Sequence, residues 1–170
     1  GSFVGADGKT YKFNDVMYVW GFDVDTEEEI VFSEESTTPP TPPTGGAIVF
    51  DADVDQGNAT ETQAAYEVSK NGVTMVVSSG RLGTFNNEVH YRIYKNQTLT
   101  LTSTVGNIVK VEFTTTASDD AEWGPAGWTV TDGSYNYSGN IGTWTGDADS
   151  VIFTATQFQV RATQIVVTLA

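Results

Sequence analysis

Apolar and polar residues alternate along most of the chain after residue 46. A period of two is typical of β-strands that bury one face and expose the other to water. Threonine, valine and tyrosine are frequent in these stretches, and such side chains suit a pleated sheet. The apolar positions that we expect to point into a shared core are Val109, Val111, Phe113, Val151, Phe153, Ile165 and Val167. Further alternation is seen at Val73, Met75, Val77, Tyr91, Ile93, Leu99 and Leu101.

Turn-forming pairs separate these alternating stretches. They are Asn71-Gly72, Gly106-Asn107, Asp132-Gly133 and Gly139-Asn140, and such pairs favour tight turns. Residues 59–68 come closest to a helical period, but residues 66–68 fit a strand better. Eight to ten short strands at this spacing predict an all-β fold, an antiparallel β-sandwich of jelly-roll type with a short N-terminal β appendage.

A proline-rich stretch, STTPPTPPTGG at residues 36–46, divides the chain. Paired prolines favour an extended spacer, and spacers of this kind join covalently linked domains. Residues 1–35 are expected to be a short β segment, and residues 47–170 the sandwich. The first segment predicts a hairpin around Asp7-Gly8. We expect it either to end a preceding domain or to dock on a sheet, in this chain or a neighbour, through Phe13, Val19, Trp20 and Val24.

The chain is acidic, with 22 acidic and 8 basic residues and a net charge of −14. This charge argues against nucleic acid as a partner, since binding there depends on neutralising phosphates. It also disfavours anionic membranes, and no apolar run reaches the length of a membrane span, so membrane insertion is not expected. The absence of cysteine excludes disulfides and thiolate chemistry.

A family resemblance is carried by YEV at residues 66–68, NGVTM at 71–75, YRIYK at 91–95, QTLTL at 97–101 and IVKVEF at 108–113. The C-terminal part adds SYNY at 134–137, GTWTG at 142–146, SVIF at 150–153 and QVRATQIVV at 159–167. Over residues 47–170 the chain resembles β-sandwich modules of secreted, multidomain Bacteroidetes proteins. These modules are similar in outline to jelly-roll carbohydrate-binding modules. The resemblance implies a polysaccharide ligand and an extracellular or cell-surface location.

Aromatic residues gather in one part of the sequence and form the first set of candidate ligand contacts: Trp123, Trp128, Tyr135, Tyr137 and Trp144. Sugar C–H faces stack on indole and phenol rings. Trp123 lies in a Gly/Pro loop, where no strand period requires its burial, and we expect it to be the main stacking residue. The alternative for Trp128 and Trp144 is that they fill the core of the sandwich.

A polar strand face forms the second set, His90, Arg92 and Tyr94, to which Arg161 can be added. Arginine presents a planar fork that pairs with carboxylates or with neighbouring hydroxyls. The alternative is a cross-strand ion pair with a nearby glutamate. His90 is the single histidine, and no phosphate loop or nucleophile elbow is present. The chain is therefore not expected to be an enzyme.

Alternating carboxylates at Asp51, Asp53 and Asp55, followed by Gly57, resemble an oxygen cage for Ca²⁺. The expected metal is a structural calcium ion, and the alternative is a solvated acidic loop. Taken together, the sequence predicts a non-catalytic polysaccharide-binding module of a secreted or surface bacterial protein. The alternative is a structural or adhesive subunit whose N-terminal strands complete a sheet.

Overall fold

The structure is a computed structural model that describes residues 2–4, 10–12, 46–60 and 63–170, with the backbone alone for residues 2–4, 10–12 and 85. The chain divides into two compact units, Gly1–Pro39 and Pro40–Ala170. In the first unit, β1 (Ser2–Val4) pairs antiparallel with β2 (Thr10–Lys12). This pairing confirms the strands of the predicted hairpin. Its Asp7-Gly8 turn, the predicted docking residues and residues 36–45 of the linker lie outside the described residues.

The described part of the second unit is built from strands, with a single turn of 3-10 helix at Pro125–Gly127. The strands are β3 (Ala47–Asp51), β4 (Glu67–Lys70), β5 (Val73–Val77), β6 (Gly80–Phe85), β7 (Glu88–Ile93), β8 (Thr98–Ser103), β9 (Ile108–Thr115), β10 (Trp128–Val130), β11 (Ser134–Ser138), β12 (Ile141–Ala148), β13 (Ser150–Ala155) and β14 (Val160–Leu169). These twelve strands exceed the eight to ten that the sequence predicted. The glycine-containing β6 and the three-residue β10 are among the strands that alternation did not identify.

These strands form two antiparallel sheets, which confirms the predicted all-β sandwich. The five-stranded sheet has the order β10-β13-β8-β5-β4. The larger, seven-stranded sheet has the order β11-β12-β9-β14-β7-β6, and β3 also pairs with β14. The long strand β14 pairs with β7 through residues 160–162 and with β3 through residues 164–168. Among the described residues, no helix has the length and apolarity needed to cross a lipid bilayer.

The core lies between the two sheets and is rich in aromatic rings. Phe153 packs against Phe113 at 4.8 Å between ring centroids, and Trp128 lies 5.3 Å from Phe113. Burial of each such side chain stabilises the fold by about 1.5–3 kcal/mol. Six of the seven predicted core residues are buried, namely Val111, Phe113, Val151, Phe153, Ile165 and Val167.

The exception is Val109, for which the predicted inward orientation is wrong. The pairing of β9 with both β12 and β14 shifts register near Ile108, which is fully buried. Ile108 therefore takes the inward position at the start of β9, and Val109 is half-buried. Alternation in sequence does not reveal such a bulge, because the extra residue is itself apolar.

Candidate functional site

The three arginines of the chain form one row across three neighbouring strands of the larger sheet. Arg161 of β14 is the register partner of Arg92 in β7, and Arg92 is the partner of Arg81 in β6. Directly opposite residues lie on the same face of a sheet. This face is the outer one, because the residues that flank the arginines along the strands are buried: Leu82, Tyr91, Ile93, Val160 and Ala162. We call Arg81, Arg92 and Arg161 the arginine row.

A single glutamate contacts two members of this row. Arg92 Nη2 donates a hydrogen bond to Glu88 Oε2, and Arg161 Nη1 lies 3.7 Å from Glu88 Oε1. The hydrogen bond and charge of Arg92 hold the pKa of Glu88 below its usual range, and Arg161 adds to the effect. The ion pair that the sequence left as an alternative is therefore present, and Glu88 is its carboxylate. Glu88 remains 50% exposed.

Gln159 connects the same two arginines from the residue before β14. With its side-chain amide oriented so that the oxygen faces them, Gln159 accepts hydrogen bonds from Arg161 Nε at 2.8 Å and from Arg92 Nε at 3.3 Å. One uncharged acceptor therefore fixes both guanidinium groups. Fixed guanidinium groups lose less conformational entropy when they bind a partner than free side chains do.

His90 lies beside Arg92 on the outer face of β7. Its Nε2 atom is 2.8 Å from Arg92 Nη2. Burial of the ring lowers the pKa of His90 below its ordinary value of 6.5, and the charges of Arg92 and Arg161 lower it further. The neutral imidazole, with its proton on Nδ1, accepts the hydrogen bond of Arg92 through Nε2.

Trp123 joins this surface from the loop between β9 and β10. The Arg161 guanidinium carbon lies 3.8 Å from the centroid of the Trp123 ring, and the Arg161 amide donates to the Trp123 carbonyl at 3.3 Å. Trp123 as a whole residue is 37% exposed. We use the name Trp–Arg surface for Trp123, Arg161, Arg92 and His90. Trp123 belongs to the aromatic set of candidate contacts predicted from the sequence, and the other three belong to the polar strand face.

The backbone of Trp123 has φ of 78°, a left-handed conformation that is rare for a bulky side chain. The loop around it is held by backbone hydrogen bonds, including Gly124 to Ala121 at 2.9 Å. Asp119 Oδ1 also accepts from the Gly139 amide at 2.7 Å and ties the loop to the turn between β11 and β12. Strained backbone persists where the surroundings impose it, and it is enriched at binding sites.

Two of the predicted aromatic contacts are not available to a ligand. Trp128 and Trp144 are buried in the core, and Trp144 Nε1 donates to the Asp132 carbonyl at 2.7 Å. The expectation that these rings bind a glycan is therefore wrong. Both lie at inward positions of strands, where burial of a large ring gains more free energy than exposure.

The two tyrosines of β11 differ from each other. Tyr135 is partly buried, and its hydroxyl donates to the Pro125 carbonyl at 2.8 Å. Burial raises the pKa of Tyr135. Tyr137 is exposed and lines a shallow depression with Ile141 and Thr143. Tyr94, from the polar set, follows β7 at a half-buried position near Arg161.

The acidic loop after β3 is closed by its own hydrogen bonds. Asp51 Oδ1 accepts from the Asp53 amide at 2.9 Å, and Asp55 Oδ2 accepts from the Asp51 amide at 2.9 Å. The Lys70 ammonium lies 2.8 Å from the same Asp55 oxygen. Burial acts to raise the pKa of Asp55, but the Lys70 and Asp51 hydrogen bonds prevail and lower it. Within residues 46–60 and 63–170, no three metal-ligating side chains come together, and calcium binding stays a prediction.

The sequence interpretation missed Arg81, Glu88 and Gln159. The sequence did contain a signal for Arg81, the pair Asn86-Asn87, because asparagine tolerates the left-handed conformation of a tight turn. In the structure these residues have φ of 52° and 62° and form a two-residue hairpin turn. Such a turn fixes the register of its strands, and counting back from it pairs Arg81 with Arg92. The contact of Glu88 with Arg92 is local, because the two residues lie four positions apart on β7. The contact of Glu88 with Arg161 and that of Gln159 with Arg92 depend on pairing between β7 and β14, which are distant in sequence.

Comparisons with protein-family models, with curated proteins and with solved structures found no match. The resemblance to secreted Bacteroidetes modules accordingly stays an expectation based on strand and turn patterns.

Proposed function

We propose that this protein is a non-catalytic polysaccharide-binding module of a secreted or surface-attached protein, and that the ligand contacts the Trp–Arg surface. The observation that carries the proposal is the stacking of Arg161 on the partly exposed ring of Trp123, 3.8 Å from its centroid. Because Arg161 covers one face of the indole, the exposed remainder of the ring beside the fixed guanidinium groups offers both kinds of contact that a sugar uses. The C–H face of a pyranose stacks on the indole, and its hydroxyls accept hydrogen bonds from arginine.

The organisation of the surface favours binding at low entropic cost. Arg161 stacks on Trp123, and Gln159 accepts from Arg161 and Arg92 in the orientation described above. Side chains that are already held lose little rotamer freedom when a ligand arrives. The surface also lies on the outer face of an open sheet, where a long polymer can pass without having to enter a closed cavity.

The conformation of Trp123 gives independent support. Glycine suits a φ of 78° without steric cost, yet the chain has a tryptophan there, and this residue is 37% exposed. Packing in the core does not account for this choice, since the ring lies outside the core cluster. A ligand that stacks on the ring does account for it.

The direct test is affinity electrophoresis of the full chain through gels that contain single polysaccharides, followed by calorimetry with those that retard it. Trp123→Ala is expected to abolish most of the retardation. The matched control is Ile152→Ala, which removes an exposed apolar side chain from the outer face of the five-stranded sheet and is expected to bind normally. Equal retardation of the parent and Trp123→Ala proteins, with both folded, would overturn the proposal.

A further inference from the structure

We infer that the polysaccharide is acidic and that the arginine row binds a carboxylate or sulfate group carried by its sugars. This inference rests on the proposed function and specifies the class of ligand. The observation that motivates it is the collection of the chain's three arginines at register-paired positions of β14, β7 and β6. Sugar hydroxyls alone do not require a concentration of positive charge.

Placing three arginines side by side costs free energy, and the fold does not need arginine at these positions. Like charges at directly opposite positions of a sheet destabilise it, and uncharged residues such as threonine suit outward strand positions well. The chain has only 8 basic residues against 22 acidic ones. Three of those few positive charges nevertheless lie side by side, and oxyanions are the groups that arginine binds best.

The guanidinium groups of Arg92 and Arg161 retain unused hydrogen-bond donors. Gln159 takes the Nε–H groups of Arg92 and Arg161, while Glu88 and His90 engage Arg92 Nη2. Among the residues that the structure describes, Arg92 Nη1 and Arg161 Nη2 have no hydrogen-bond acceptor. The two side chains are neighbours on paired strands and are 13% and 16% exposed, so we expect an oxyanion to reach these nitrogens where Glu88 now lies.

The carboxylate of Glu88 contacts the same arginines that the acidic group of the ligand is proposed to contact. Its two carboxylate oxygens approach Arg92 and Arg161 separately, and half of its side chain is exposed. A carboxylate held only at the surface is readily displaced, because exposed ion pairs contribute little to stability. We therefore expect an acidic sugar to compete with Glu88 for the same donors.

The other negative charges of the protein repel an acidic polymer. Glu122 acts on Arg161, and the whole chain carries a net charge of −14. At physiological ionic strength, charges are screened over about 8 Å. The distant carboxylates are therefore largely screened, whereas the arginine row acts at contact distance. Retention of an acidic polymer by a protein of this charge requires a local site.

The experiment uses affinity electrophoresis of the full chain with matched pairs of polymers. Polygalacturonate is compared with its carboxyl-reduced form, and dextran sulfate with uncharged dextran. Neutral xylan, β-glucan and galactomannan complete the panel. We expect retardation by at least one acidic polymer and loss of that retardation when its charged group is removed. The two pairs distinguish carboxylate from sulfate as the recognised group.

Each other result overturns the inference. Retardation only by neutral polymers, abolished by Trp123→Ala, would retain the proposed function and reject an acidic ligand. Equal retardation by both members of a pair would show that the charged group is not recognised. Retardation by no polymer of the panel would reject the acidic ligand and remove the support for polysaccharide binding as well.

Substitutions then test the arginine row itself on the polymer that binds. Arg92→Gln is expected to weaken binding by about tenfold or more, and Arg92→Lys, which keeps the charge but loses the planar fork, by a smaller factor. Glu88→Gln is expected to strengthen binding. Lys110→Gln removes one positive charge from the outer face of β9, where Lys110 pairs with Glu112 at 2.6 Å, and is expected to change little. Equal effects of Arg92→Gln and Lys110→Gln would contradict a specific site, and Arg92→Lys serves if Arg92→Gln does not fold.

Discussion

The outer faces of the two sheets differ although both sheets cover the same core. The face of the five-stranded sheet presents small hydroxyl-bearing and β-branched side chains with one charged residue: Glu67, Ser69, Thr74, Val76, Thr98, Thr100, Thr102, Thr129, Ser150, Ile152 and Thr154. The face of the larger sheet presents the arginine row, His90 and Glu88. Inward positions of both sheets are apolar except at the ends of β8 and β9, where Ser103 and Thr115 are buried. The difference therefore arises at outward positions, whose side chains the packing of the core does not determine.

The polar groups of the two faces are also satisfied differently. On the five-stranded sheet, Ser69 and Thr74 share a hydrogen bond of 2.8 Å, and Thr102 and Ser150 share one of 3.2 Å. These hydroxyls pair with their register neighbours. On the larger sheet, two arginines share Glu88 and Gln159 and retain unused donors. The hydroxyls of the first face therefore need only water as a further partner. The unused donors of the second face are available to a ligand.

The largest effect is expected from the core that both faces share. Phe153→Ala removes a ring that contacts four other aromatic rings and should reduce the free energy of unfolding by about 3–5 kcal/mol. Its neighbour in sequence, Ile152, points outward, and Ile152→Ala should cost less than about 1 kcal/mol. Urea denaturation measures both. Similar losses in the two variants would contradict the assignment of inward and outward positions.

A smaller effect on stability is expected at Trp123, where two substitutions distinguish backbone strain from loss of side-chain packing. Because the residue has φ of 78°, Trp123→Gly should be more stable than Trp123→Ala by about 1 kcal/mol. Both variants should lose binding to polysaccharide, since both lack the ring. Denaturation midpoints at equal slope give the comparison. A glycine variant less stable than the alanine variant would mean that the loop changes conformation when the ring is removed.

The pH dependence of stability is expected to show the burial of His90. Its pKa is lowered in the folded state from the ordinary value of 6.5, so folding favours the neutral ring. That contribution is complete above about pH 6.5 and is lost as the pH falls through the lowered folded pKa. His90→Gln should flatten the stability profile over this interval relative to the parent. Parallel profiles for the two proteins would show that His90 does not contribute.

The smallest expected effect concerns the Asp51, Asp53 and Asp55 loop. A saturating ligand at a hundredfold excess over its dissociation constant stabilises by about 2.7 kcal/mol. Because calcium at this loop has to compete with Lys70 for Asp55, its dissociation constant should be high. A given calcium concentration then stays far below a hundredfold excess, and the increase in melting temperature should be small. Melting in calcium chloride and in EDTA measures it. Identical midpoints would remove the calcium prediction.

Strand alternation and turn pairs were sufficient to predict the sandwich and most of its core, because they are local properties of the chain. Val109 shows where this fails, since a bulge shifts the phase of the alternation without changing its composition. The site was only partly predictable for a different reason. Trp123, His90 and Arg92 were recognised as separate candidates, but their proximity depends on the bridge between Trp123 and Val160 and on the pairing of β7 with β14. These contacts are non-local and have no signal in a single sequence.

The central claim is that polysaccharide contacts the Trp–Arg surface, and chemical-shift mapping tests it most directly. An oligosaccharide of a polymer that retards the protein is titrated into ¹⁵N-labelled protein. The indole Nε1–H of Trp123 and the Nε–H groups of Arg92 and Arg161 are followed, with assignments checked by Trp123→Ala, Arg92→Lys and Arg161→Lys. We predict that these signals shift together with one affinity, while the indole signals of the buried Trp128 and Trp144 move little. Shifts confined to residues such as Thr100 and Ile152, on the outer face of the five-stranded sheet, would contradict the account.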